Sequence, residues 1–414
     1  MIRRVAASLP LAVVLLDVTV VAVLLPDIRL DLGSSSSGGQ WVLNAYLLAL
    51  AALFPLLCRL RSRALTLTGA FVMAAGAIVC ASADSTAVLV TGQTLQGAGA
   101  AALLAPVPGS WAALALPGAA LALGPLAGGV LAEQNWWHVF FWACVPLAAL
   151  AGAGALAAPQ RPGDRETTRA LAFAAGLAAL TIAWVQSEVW SWGWWALLSL
   201  VGAVFLRQAR VHEARGSTLA WAALAGCLAT LVFLLPEYFQ LARNLSGSRS
   251  GVLVLAVTLA AVGGWTAATL LGRMIPWSGQ LLAGTVCLVG GLAVLVTIDA
   301  HTRWALLIGA LGLTGLGLGV SAAAARGLPG PTSAPPAAVL AGACLGLATG
   351  GAAFQFAQAD ERGSGATFEE ALAAGVGWGA LCLLLLLALA ALTIWRLEQA
   401  PRRAPSAAPP AAGS

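Results

Sequence analysis

The sequence predicts an all-α integral membrane protein that crosses the bilayer fourteen times. Three observations carry this. Of the 414 residues, 60% are hydrophobic and only 9% charged, whereas a soluble domain carries roughly 25% charged residues and needs them to cover its surface. The mean hydropathy is +0.89. The apolar residues also come in blocks of about 20, the length of helix that crosses about 30 Å of hydrocarbon. Open sheets are excluded because lipid offers no partner to unpaired backbone groups. A transmembrane barrel would show short alternating segments instead.

The blocks fall at 5–26, 41–58, 65–83, 86–105, 111–132, 137–158, 170–187, 190–206, 218–242, 250–271, 279–298, 304–325, 337–357 and 371–395. The first follows Arg3 and Arg4 and resembles a signal peptide. It is too long for one, contains Asp17 and lacks a small-x-small cleavage site, so it reads as the first membrane helix. The breaks hold turn chemistry, as in Gly33 to Gly39, Pro106 to Gly109 and Gly327 to Pro336. The Pro/Ala/Ser-rich tail over 399–414 predicts a disordered cytoplasmic segment.

Fourteen spans put both termini on one side. All 21 basic residues are Arg, and sixteen fall on the side of the termini. Arg29, Arg243, Arg249, Arg303 and Arg362 fall on the other. The positive-inside rule then makes the termini cytoplasmic. The Ala, Gly and Arg richness points to a GC-rich bacterial gene, hence the bacterial inner (cytoplasmic) membrane. The charged stretches 159–169 and 207–217 bracket two helices. The chain therefore divides into six helices over 1–158, a linker pair over 159–217 and six helices over 218–398. Trp184, Trp190, Trp192, Trp194 and Trp195 cluster in the hairpin of that pair, where an interfacial anchor is the plain reading and substrate stacking the alternative.

The net charge of +5 does not signal nucleic acid, because the Arg are spread through loops. The seven Cys lie singly, in no metal or disulfide spacing. No nucleophile–base pair or metal constellation appears, so the reading is of no enzyme, no metal and no cofactor.

Two acids stand inside the spans, Asp17 and Glu237. An ionised acid at the bilayer centre costs about 2.5–3.5 kcal/mol, so each must face a wet cavity, find a partner or hold a proton. No Arg falls mid-span, and neither acid is expected to have a fixed cationic partner. The reading is that both face a central cavity and at least one couples transport to protons; interhelical hydrogen bonding is the bland alternative. Gln93 with Gln96, Glu237 with Gln240, and Gln355 with Gln358 recur at i, i+3 and so share a helix face. They should face the bundle interior, as glue between helices or as ligand contacts. Gly124-Pro125-Leu126-Ala127-Gly128-Gly129 lies within an apolar helix; its small residues allow close approach and its Pro a bend. Hinge and simple packing are both open readings of it.

Several of these strings resemble the fourteen-helix drug:proton antiporter branch of the major facilitator superfamily. Leu16-Asp17-Val18-Thr19-Val20-Val21 through Leu25-Pro26 is similar to its first-helix signature, and Gln40-Trp41-Val42-Leu43-Asn44-Ala45-Tyr46-Leu47-Leu48 to its second. Gln96-Gly97-Ala98-Gly99 resembles its fourth-helix motif, Leu123 to Gly129 its fifth-helix antiporter motif, and Tyr238-Phe239-Gln240 its Tyr-Leu-Gln. The resemblance implies two six-helix bundles plus two extra helices, a central cavity and alternating access. It implies export of a small amphipathic organic substrate against inward proton flow, by a monomer. Asp17 then maps onto the branch's membrane acid. Glu237, Gln93, Gln96, Gln240, Tyr46 and Asn44 are candidate cavity residues. Gly124, Pro125, Gly128 and Gly129 form the gating hinge, and Arg59, Arg61 and Arg63 the cytoplasmic gate.

The chain departs from that pattern. Its loop after the second helix is cut to Cys58-Arg59-Leu60-Arg61-Ser62-Arg63, without the branch's Asp and Gly. Gln93 stands where the branch has an Arg tied to coupling. These departures keep an uncoupled facilitator, a transporter of one metabolite and a non-transporting relative open as alternatives.

Overall fold

A computed structural model describes residues 2–60, 62–106, 115–157, 167–187, 189–190, 192–209, 216–328 and 336–399. Arg61 and most of the tail expected to be disordered lie outside them, as do the larger parts of the two charged stretches around the linker pair.

Among the described residues fourteen α-helices follow one another: α1 (Ile2–Asp31), α2 (Ser36–Leu57), α3 (Arg63–Ala81), α4 (Thr86–Leu104), α5 (Ala115–Glu133), α6 (Trp137–Ala157), α7 (Thr167–Val185), α8 (Trp192–Gln208), α9 (Gly216–Glu237), α10 (Gly247–Leu271), α11 (Trp277–Val296), α12 (Trp304–Ala324), α13 (Pro336–Gly363) and α14 (Phe368–Gln399). Thirteen are long and apolar enough to cross a membrane. The other, α8, has 17 residues, at the low end of the roughly 17–25 that span a bilayer. Several helices outrun their apolar blocks. α1 continues through Pro26 to Asp31, and α13 runs to Gly363, because helical hydrogen bonding does not stop where lipid ends.

Starts are set by local chemistry. Ser35 caps α2 by accepting from the Gly38 N–H at 3.1 Å, and Ser62 caps α3 by accepting from Leu65 at 3.1 Å; each satisfies a donor left over at a helix start. At the end of α9, Pro236 lacks an N–H, and the chain widens into a π-helical turn over Tyr238–Ala242.

The packing repeats with an offset of eight helices. In the first half α1 packs on α5 and α6, α2 on α4, and α3 on α4 and α6. In the second, α9 packs on α13 and α14, α10 on α12, and α11 on α12 and α14. The crossings between halves obey the same relation: α5 meets α10, and α13 meets α2. The linker helices α7 and α8 pair with each other, and α7 leans on both α2 and α13. This is the architecture of two six-helix bundles with two extra helices.

Candidate functional site

Each end of the bundle collects alternate loops. The terminal face holds the start of α1 and the end of α14; the far face holds the α1–α2, α3–α4, α5–α6, α7–α8, α9–α10, α11–α12 and α13–α14 connections. The site lies between these faces, where α1 passes both halves.

Asp17 sits midway along α1 and is buried. Its Oδ1 accepts from the Cys144 thiol of α6 at 3.5 Å. Around this pair lie the Tyr46 ring of α2, whose hydroxyl has no partner, and Gln96 of α4, whose Oε1 accepts from the Cys80 thiol of α3 at 3.3 Å. Gly97 lets α4 ride directly against the Tyr46 carbonyl, where a Cβ would clash. Gln93, one turn from Gln96, is 1% exposed and neither of its polar atoms has a partner. An unpaired buried amide costs about 1–3 kcal/mol. Asn44 is likewise buried; its amide reaches back to the Gln40 carbonyl at 3.4 Å and its own oxygen is unpaired. The first half thus holds an acid, two thiols, a phenol and amides with spare hydrogen-bonding capacity.

Glu237 occupies a different environment and corrects one expectation. An Arg does reach it: Arg29 Nη1 lies 2.5 Å from Glu237 Oε2, with Glu237 0% and Arg29 12% exposed. Arg29 belongs to the far-face end of α1, beyond Pro26, where the apolar block ends but the helix does not. The extra turn of α1 carries the guanidinium to the end of α9. Arg29 Nη2 also donates to Ser36 Oγ of α2 at 2.9 Å, and Ser36 donates to Gln358 Oε1 of α13 at 3.1 Å. Gln240, on the π turn, donates to the Val23 carbonyl of α1 at 2.8 Å and to Ser250 of α10 at 3.4 Å. Asp17 and Glu237 therefore do not share one set of partners.

The two crossings between halves differ in chemistry. α5 meets α10 through glycine. A Cβ on Gly129 would stand 2.5 Å from the Gly247 carbonyl, and one on Gly251 would strike the Pro125 carbonyl. Gly124 and Gly128 face Thr19 and Val20 of α1 instead. The expected hinge string is thus a contact surface on two sides. α2 meets α13 through amides: Gln40 donates to the carbonyls of Leu347 and Ala348 at 3.0 and 3.1 Å, and Gln355 donates to Gln40 Oε1.

On the terminal face, Arg59 Nε donates to the Pro55 carbonyl at 3.4 Å and Arg63 is exposed. In the linker hairpin Trp184 and Trp195 meet edge to face, ring centroids 5.2 Å apart. Arg29, Ser36, Gln40 and Cys144 were not singled out as site residues. A charged residue a single turn past an apolar block was the available signal for Arg29; a buried Cys or Ser carries none.

Residues 9–354 match the Major Facilitator Superfamily. The chain belongs to that superfamily. It is a multi-pass membrane protein and a secondary transporter of small organic compounds, not an enzyme. Among its relatives in the superfamily, the multidrug resistance protein Stp of Mycobacterium tuberculosis is 27% identical over 366 residues, 77% of this chain and 67% of that one. The efflux pump FUS6 of Gibberella fujikuroi is 27% identical over 76% of this chain and 66% of its own length. The methylenomycin A resistance protein of Bacillus subtilis is 33% identical over 187 residues, 40% of each chain. The chain spans about two thirds of the length of the first two. Among solved superfamily structures, a bacterial homologue of the human lysosomal transporter Spinster, in an inward-facing and occupied conformation, has a TM-score of 0.62 at 13% identity over 95% of this chain and 96% of that one. An auto-inhibited peptide transporter of the POT family has 0.61 at 15% identity over 98% of each. At those identities the likeness is one of fold.

Proposed function

We infer that this chain exports an amphipathic organic compound across a bacterial cytoplasmic membrane in exchange for protons. The reading has it working as a monomer with both ends in the cytoplasm. Residues 1–158 and 218–398 rock against each other, with 159–217 between them. The efflux and resistance proteins among the relatives support the direction and the substrate class. The observation that carries proton exchange is Asp17: a buried acid in the middle of α1 that accepts from the Cys144 thiol at 3.5 Å, with amides of spare capacity nearby. Such an acid is stable in apolar surroundings only when it can take up a proton or meet water in turn. At −100 mV, one inward proton supplies about 2.3 kcal/mol, enough for roughly a 50-fold gradient of a neutral substrate. The contacts joining the halves at the far face correspond to the cytoplasm-open stage of the cycle, and the Gly124 to Gly129 string is the surface that separates when that face opens. Arg59, Arg61 and Arg63 are then gate residues on the cytoplasmic side.

Gln93 favours a second reading, an uncoupled facilitator, because it gives Asp17 no charged neighbour from α4. Inside-out vesicles challenged with ethidium and a drug panel separate the two. Uptake abolished by a protonophore, and lost in Asp17→Asn, supports exchange with protons. Uptake indifferent to both supports the facilitator.

A further inference from the structure

We propose that Arg29 and Glu237 form a proton-released latch on the far face, so that Glu237 takes up a proton each time that face opens. The inference rests on the alternating-access reading above but not on Asp17.

The pair bridges the halves, and four helices converge on it: Arg29 on α1, Ser36 on α2, Glu237 on α9 and Gln358 on α13. It is short and withdrawn from solvent, so its charges hold each other with little screening. It is also incompletely satisfied. Glu237 Oε1, Arg29 Nε and Gln358 Nε2 are buried without a partner. A purely structural pair would gain by filling those valences. A pair that parts repeatedly leaves those valences to water each time the face opens.

Opening the far face moves α1 away from α9 and separates the pair. Parting two bare charges is costly, since a buried charge that loses its partner has nothing to offset its desolvation. The cost falls if Glu237 is neutralised as it meets water. Its carboxylate then accepts one proton from the far-side solution and becomes a carboxylic acid. Arg29 keeps its own protons and turns to water. On closing, Glu237 returns that proton to the far-side solution before the pair re-forms. Among the described residues, the other acids on this end of α1 are Asp27, with a buried unpaired oxygen, and Asp31, which accepts from the Trp137 ring N–H at 3.0 Å. α13 offers the neutral Gln358, and α10 offers Ser250, held by Gln240. Arg243 points instead at the Tyr238 hydroxyl and the Thr302 carbonyl, and Glu369 of α14 accepts from Asn244.

The test needs no substrate. Spin labels at Gln134→Cys and Ser364→Cys sit on exposed far-face turns of opposite halves, with the partly exposed Cys58, Cys287 and Cys382 changed to Ala. Distances are read in nanodiscs at a series of pH values from about 8 down to about 4, ending near the ordinary Glu value. The latch predicts that acid increases the longer-distance population about tenfold in the parent protein. Glu237→Gln should hold that population at the acid level throughout and abolish the pH response. The neutral pair Arg29→Gln with Glu237→Gln, which leaves no buried charge, should also be indifferent to pH. Asp17→Asn should keep the response. A parent protein without a pH response, or a Glu237→Gln protein with the parent's response, overturns the latch. Transport indifferent to a protonophore, with label distances still moving with pH, sinks the exchange reading and leaves the latch standing.

Discussion

Arg29 Nη1 stands 2.5 Å from Glu237 Oε2, joining two residues 208 positions apart on opposite halves of the transporter. Glu237 is fully buried, so removing only its partner leaves a bare charge in an apolar place. Arg29→Gln should lower stability by about 3–5 kcal/mol. The double change Arg29→Gln with Glu237→Gln should recover most of that loss. Thermal unfolding of the four proteins in detergent, treated as a double-mutant cycle, measures the coupling. Additive losses would show that the two groups do not depend on each other.

The α5–α10 crossing offers a matched pair of glycines on one helix. Gly251 lies against the Pro125 carbonyl, and a Cβ there has no room; Gly263 faces open space. Gly251→Ala should cost about 1–3 kcal/mol through overpacking and should cut transport, because the far face cannot seal. Gly263→Ala should be neutral or stabilising by about 0.5–1 kcal/mol, since Ala loses less backbone freedom in a helix. Melting temperature and ethidium uptake read both. Equal behaviour of the two variants would mean that α5 and α10 do not touch as described.

Gln93 separates stability from function. Both its polar atoms are buried and unpaired, so Gln93→Met, close in shape, should leave stability unchanged or raise it by about 1–3 kcal/mol. If the amide serves substrate or water beside Asp17, uptake should fall in the same variant. A loss of stability with unchanged uptake would make Gln93 a packing residue.

Outside the spans, Asp299 closes the α11–α12 loop. Its carboxylate accepts from Thr302 Oγ1 at 2.9 Å and from the His301 N–H at 2.8 Å, and these hold its pKa below the ordinary value. The loop's stabilisation is complete above pH about 4 and is lost as pH falls through the depressed value. The same loop accepts from Tyr238 of the π turn that follows Glu237 and from Arg243 at the end of that turn. Thr302→Ala should move the Asp299 midpoint up toward the ordinary carboxyl range, measurable by carbon NMR of labelled Asp. An unmoved midpoint would mean that the hydroxyl does not hold the carboxylate.

The number of helices, their order and the six, two and six division were legible in the chain alone. Hydrocarbon thickness fixes the length of an apolar block, and Gly, Pro and Ser punctuate the breaks between blocks. The candidate acids were legible for a related reason: a charge inside such a block stands out. What these acids touch was not. Cys144 reaches Asp17 across 127 positions and Arg29 reaches Glu237 across 208, and no periodicity encodes a meeting between helices that far apart. α1 also had to run past Pro26 before Arg29 could arrive, and an apolar block ends where lipid ends while a helix does not. The sequence therefore determined which residues needed partners. Only the packing of the two halves decided which partners they found, because contact between helices depends on crossing geometry rather than on spacing along the chain.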